Sequence, residues 1–161
     1  MLKKVVSGGQ TGVDRSALDV AIEMNFPYGG WCPRGRIAED GTIDSVKYAN
    51  LAETSTNRYP QRTEMNVRDS DGTLIIFRGN ENTMSAGTKL TTRMAEKHHK
   101  PLFIVNLDEK NESSKENQVC EWIIANKIEI LNVAGPREET TPGIYKHAEG
   151  FFRKVLQILL K

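Results

Sequence analysis

Val5-Val6-Ser7-Gly8-Gly9-Gln10-Thr11-Gly12, followed by Asp14 and then Ala17, Leu18, Ala21 and Ile22, reads as a strand, a glycine turn and a helix start. Glycines admit positive φ and let a ligand approach the backbone closely. A helix N-terminus adds unpaired N–H groups and the positive end of a dipole. The segment is therefore expected to hold a phosphate. The rest of the chain is then read for strands and loops that would surround it.

Five apolar runs support a layered fold. The stretch Tyr28 to Arg36 allows a short strand to begin, the rest being an ordered loop; Thr73 to Phe77 and Leu102 to Val105 read as buried strands, and Ile128 to Val133 reads as the last. Helical patterns separate them: about Asp14 to Asn25, Gln61 to Asp69, Thr88 to His99, a segment carrying Val119, Trp122 and Ile123, and a long final helix. In that final helix Ile144, Ala148, Phe151, Phe152, Val155 and Leu159 form an apolar stripe at helical spacing. Strands alternating with helices imply a mostly parallel sheet covered on both faces. The expected fold is α/β, a Rossmann-like three-layer sandwich in one domain over residues 1–161. Residues 38–60 show weak periodicity and read as a long loop, either functional or a flexible excursion.

Composition narrows the function. A 161-residue chain with 38% hydrophobic and 27% charged residues suits one globular domain. A formal net charge of +1, without Lys/Arg runs, gives no case for nucleic acid. No apolar stretch has the length of a membrane span, and the start of the sequence lacks a signal peptide's apolar region. A cytoplasmic location is expected. Cys32 and Cys120 lie too far apart to suggest a disulfide framework or a C-x-x-C metal site, and no histidine pair has metal spacing. No metal ligand set is expected.

Ligands of open α/β sheets bind outside the carboxyl ends of the strands. Three strand-to-helix loops share that rim: Gly8 to Gly12, Gly79 to Thr88, and Gly135 to Gly143. Thr11 and Thr88 add hydroxyls beside backbone amides, a combination suited to phosphate oxygens. The first turn of the helix feeding the strand at Thr73 also lies on this side, with Arg62, Thr63 and Glu64. Arg62 is a candidate for phosphate or carboxylate, and Glu64 for a sugar hydroxyl or ring amino group. The alternative is a solvated Arg62 and a Glu64 that complements the helix dipole. Arg34 and Arg36 are either anion clamps or solvated; Trp31 is a stacking face or a core residue. Cys32 and His147 are further open positions at the rim, whereas His98 and His99 suit a helix C-terminus.

Together these residues resemble a known family. Residues 7–19, Ser-Gly-Gly-Gln-Thr-Gly-Val-Asp-Arg-Ser-Ala-Leu-Asp, are similar to the opening motif of the molybdenum cofactor carrier family. Gly30-Trp31-Cys32-Pro33-Arg34-Gly35-Arg36, Arg62-Thr63-Glu64-Met65-Asn66-Val67, and Leu131-Asn132-Val133-Ala134-Gly135-Pro136-Arg137-Glu138 look like further family blocks. The resemblance implies a Rossmann-like fold of the SLOG type, related to lysine-decarboxylase-like proteins and cytokinin-activating phosphoribohydrolases. It implies a homodimer or homotetramer that binds molybdenum cofactor, a phosphate-bearing pterin with a dithiolene-bound metal. The candidate binding set is Gly8, Gly9, Gln10, Thr11, Gly12, Arg15, Arg34, Arg36, Arg62, Glu64, Ala86, Gly87 and Thr88. The family usually has Gly-Gly-Thr where this chain has Ala86-Gly87-Thr88, and the Ala86 methyl is expected to restrict the turn. Two other functions stay open: a nucleotide-processing enzyme using Glu64 and Arg62, and a nucleotide-sensing module. Binding without catalysis is preferred, because phosphate-cradling features outnumber proton-transfer candidates.

Overall fold

The computed structural model describes residues 1–80, 82 and 84–161. Glu81 and Thr83, within the predicted Gly79-to-Thr88 loop, lie outside the described residues. In chain order the elements are β1 (Lys4–Val6), α1 (Val13–Glu23), β2 (Tyr28–Cys32), β3 (Ile37–Ala38), β4 (Gly41–Thr42), β5 (Leu51–Glu53), α2 (Tyr59–Arg68) and β6 (Gly72–Phe77). They continue with α3 (Ala86–Lys97), β7 (Leu102–Asn106), α4 (Lys115–Ala125), β8 (Ile130–Ala134) and α5 (Ile144–Leu159). Six strands form one parallel sheet in the order β5-β2-β1-β8-β6-β7, while β3 and β4 make a separate antiparallel hairpin. The α/β fold expected from the alternation is the fold observed.

The layers follow from residue pattern. Along β6 and β8, Leu74, Ile76, Leu131 and Val133 point to one face and join a core with α1, α4 and α5. Val13, Ala17, Val20 and Ala21 of α1, and Ile144, Ala148, Phe152 and Val155 of α5, recur every three or four residues and are fully buried. The other face is covered by α2 and α3, which pack together. It is more polar: Thr73 and Asn132 are buried there, and Asn132 Nδ2 donates to Thr73 Oγ1 at 3.2 Å. A sheet face that keeps polar side chains can line a ligand site as well as a core.

The 38–60 stretch is not a long structureless loop. It contains the hairpin and the edge strand β5, and it is organised by Arg36. The Arg36 guanidinium donates to the carbonyls of Ile43 (3.1 Å), Asp44 (3.2 Å), Tyr48 (2.9 Å) and Leu51 (3.3 Å). Ile43, Tyr48 and Leu51 then bury against Leu18 and Cys32 in a second small core. One cation satisfying four carbonyls replaces the ladder that such a short segment cannot make. Arg36 is thus committed to structure, not to an anion clamp, and Cys32 is a core residue.

Sheet order fixes where a ligand can sit. From β1 the chain moves outward to β2 and β5, then crosses to β6 and β7, and finally returns to place β8 between β1 and β6. The direction of winding reverses beside β1, which is where open α/β sheets leave a crevice at their carboxyl ends.

Candidate functional site

A cleft of about 500 Å³ occupies that crevice. Its walls come from the loop after β1 (Gly8, Gln10), the first turns of α2 (Tyr59, Arg62, Thr63), the start of α3 (Ser85 to Thr88) and the end of β8 with its loop (Asn132 to Arg137). The three rim loops and the α2 turn therefore meet at one place.

The floor is a buried ion pair on a glycine. Arg62 Nη1 donates to the Gly8 carbonyl at 2.7 Å and stands 3.8 Å from Asp14 Oδ2, with both side chains 10% exposed. A Cβ on residue 8 would come within 2.5 Å of Arg62 Nη1 and 2.9 Å of Asp14 Oδ2. Gly8 is glycine because this cation and this anion close over it. Burial raises the Asp14 carboxyl above its ordinary value, against the lowering effects of Arg62, the Gln10 amide and the Ser7 hydroxyl. Tyr59 flanks the pair, its ring centroid 5.2 Å from the Arg62 guanidinium carbon.

Part of the glycine loop is occupied by the protein's own groups. The Gln10 amide donates to Asp14 Oδ2 (3.3 Å), the Thr11 amide to Gln10 Oε1 (3.0 Å) and the Val13 amide to Pro136 O (3.2 Å). Donors already satisfied inside the protein cannot also hold phosphate, and a carboxylate sits among them. Gly9 (φ 78°) turns its Cα toward Ile43 and Leu51, and Gly12 (φ 77°) packs under Pro136 and Arg137. Gly8 and Gln10 are what this loop contributes to the cleft.

The start of α3 is more open. Ser85 caps the helix by accepting from the Thr88 amide at 3.3 Å, and its hydroxyl lies 2.9 Å from that of Thr88. Ala86 is the first helical residue with ordinary negative φ, so its methyl does not restrict the turn as expected. Ala86 and Gly87 are exposed, and a Cβ on Gly87 would meet nothing within 4 Å. First-turn amides at such an end have no helical partner and attract anions.

Other sequence candidates lie elsewhere. Glu64 turns from the cleft to the C-terminal end of α3, where Lys97 Nζ (2.7 Å) and His98 Nε2 (2.9 Å) hold its carboxylate and lower its pKa. Arg15 donates to Gly9 O (3.1 Å) and pairs with Asp40, and Thr11 donates to Glu39, so both bind the β3–β4 hairpin to α1. Arg34 is exposed away from the cleft lining, and Trp31 donates its indole N–H to Asp69 at 3.0 Å. His147 is exposed and outside the cleft. Conversely, Asp14, Asn132, Tyr59 and Arg93 line the cleft without having been singled out as binding residues in the sequence.

Among the described residues no group of three His, Cys, Asp or Glu side chains is placed to hold a metal ion. None of the described helices is long and apolar enough to cross a membrane.

With this geometry in place, the comparisons with known proteins are specific. The model of the circularly permutated YpsA SLOG family matches residues 5–156. A crystal structure described as "Putative molybdenum carrier protein" from Syntrophus aciditrophicus SB is 41% identical, covering 99% of this chain and 96% of its own, with a TM-score of 0.88. No curated protein matches significantly. The family match extends from β1 into α5 and so includes every wall of the cleft: this chain belongs to the circularly permutated YpsA SLOG family.

Proposed function

We propose that this chain binds and carries a phosphorylated pterin, with molybdenum cofactor as its cargo. The observation that carries this reading is the pairing, across one cleft, of the buried Arg62 guanidinium with the exposed first-turn residues Ala86 and Gly87 of α3. A guanidinium and orphan amides both donate to phosphate oxygens. Asp14, Gln10 and Asn132 supply acceptors and a donor for the polar edge of a ring. The similarity to a protein described as a molybdenum carrier supports the choice of cargo. Cys32 and Cys120 are buried in the cores and away from the cleft lining, so neither thiol is placed to hold the cargo's metal. A cytoplasmic homodimer or homotetramer belongs to the same proposal.

One observation favours a second reading, a nucleotide-processing enzyme. Asp14 is the one carboxyl among the described residues lining the cleft, and burial raises its pKa toward the range of a general acid or base. If chemistry occurs, Asp14 performs it and Glu64 does not. Incubation with nucleoside monophosphates, followed by assay of free base, separates the readings. The carrier reading expects no turnover, and expects Glu64→Gln to bind phosphorylated pterin as the parent protein does. Turnover that disappears in Asp14→Asn would establish the enzyme instead.

A further inference from the structure

The cleft does not end at α3. A second lobe of about 270 Å³ continues past Ser85 and Thr88, which line both, and is closed by Phe77, Arg78, Met84 and Thr141. Arg78 is the one charged side chain among the described residues lining it.

Arg78 is held in place by the ends of two neighbouring strands. It follows β6 directly, and its Nε donates to Asp108 Oδ1 at 3.2 Å, just beyond β7. Asp108 Oδ2 accepts from the Gly79 amide at 3.0 Å, and Asn106 Nδ2 donates to the Gly79 carbonyl at 2.7 Å. Nη1 points toward Gly143, where an added Cβ would lie 3.7 Å away. The carboxylate thus fixes the guanidinium through Nε, while Arg78 lines the lobe. A planar fork fixed in this way is preorganised for a phosphate oxygen pair. Thr140 and Thr141 also line the lobe.

We propose that this lobe is a second anion subsite, and that it takes a second phosphoryl group where the phosphorylated pterin is extended to a diphosphate. The inference rests on the pterin-phosphate reading above: a first phosphate near Ser85 and Thr88 leaves its free oxygen facing the lobe, where Arg78 takes the second. A monophosphate fills the main cleft and leaves the lobe to water.

Fluorescence titration with 6-hydroxymethylpterin, its monophosphate and its diphosphate tests this. The diphosphate is expected to bind about tenfold or more tighter than the monophosphate, the value of one charge-assisted hydrogen bond. Arg78→Gln is expected to erase that difference while leaving monophosphate affinity and the ligand-free melting temperature unchanged. Equal affinities for the two phosphates in the parent protein, or a difference that survives Arg78→Gln, would overturn the subsite and leave the pterin reading standing. Binding of none of the three would overturn both. Should Arg78→Gln not fold, Arg78→Lys, which keeps the charge and loses the planar fork, is expected to shrink the difference, and an undiminished difference would overturn the subsite.

Discussion

Replacing Arg62 by methionine lowers the stability of the fold by about 3–5 kcal/mol at neutral pH, the usual consequence of stripping one partner from a buried ion pair. Methionine retains the apolar stem, so the loss comes from the guanidinium. The Gly8 carbonyl loses its donor and Asp14 loses the nearest positive charge. The effect depends on pH with a defined sign. Burial already raises the folded-state pKa of Asp14 above 3.8, so the folded protein holds that proton more tightly than the unfolded chain. The corresponding stability is complete below the unfolded value and is lost as pH rises through the folded one. Removing Arg62, which pulls that pKa down, widens the window upward. The penalty of Arg62→Met therefore shrinks as pH falls and Asp14 takes up its proton. Urea unfolding at several pH values measures this. In a double-mutant cycle, Arg62→Met combined with Asp14→Asn should cost less than the sum of the two single changes, because the asparagine leaves no buried anion. Strict additivity would show that the two side chains do not act as a pair.

Gly87→Leu has the opposite profile: full stability and no binding. An added Cβ at Gly87 meets nothing within 4 Å, and the residue lies in the first turn of α3. Replacing a helical glycine by leucine favours the helix by roughly 0.5–1 kcal/mol. The same side chain projects into the cleft and covers the first-turn amides. Affinity for a phosphorylated pterin is expected to fall by about a hundredfold or more, on the order of 3 kcal/mol. Thermal melting and fluorescence titration on one sample provide both numbers. A folded Gly87→Leu protein that binds normally would remove the start of α3 from the site. Gly8 offers no such separation, because a Cβ there strikes Arg62 and Asp14 and disturbs fold and site together.

The fold was legible where periodicity was strong. The β6 run Thr73 to Phe77 and the stripe of α5 named their elements, because burial on two faces and on one face leave different patterns. The edge strand β5 and the β3–β4 hairpin were not legible, since three- and two-residue strands carry too few alternations. Their order comes from a long-range device, the Arg36 guanidinium on four carbonyls, which local pattern cannot reveal. Sheet order was equally hidden, because β8 enters between β1 and β6 through contacts remote in sequence.

The site was legible in outline only. Topology correctly brought the three rim loops and the first turn of α2 to one cleft. Side-chain direction was the missing information. On α2, Arg62 and Glu64 are two residues apart and so point to different sides of the helix, one onto Gly8 and the other to Lys97 and His98. In the glycine loop the motif Gly8-Gly9-Gln10-Thr11-Gly12 has the composition of an anion cradle, yet the Gln10 amide is taken by Asp14, the Thr11 amide by Gln10 and the following Val13 amide by Pro136. A glycine-rich turn announces close approach, and here most of what approaches is the protein's own chain.

Native mass spectrometry of the protein purified from its own cells tests the central claim most directly. A retained mass matching a phosphate-bearing pterin, present in the parent protein and absent from folded Gly87→Leu, is the predicted result. Retention of nucleotides alone, or of the same pterin in both proteins, would contradict it.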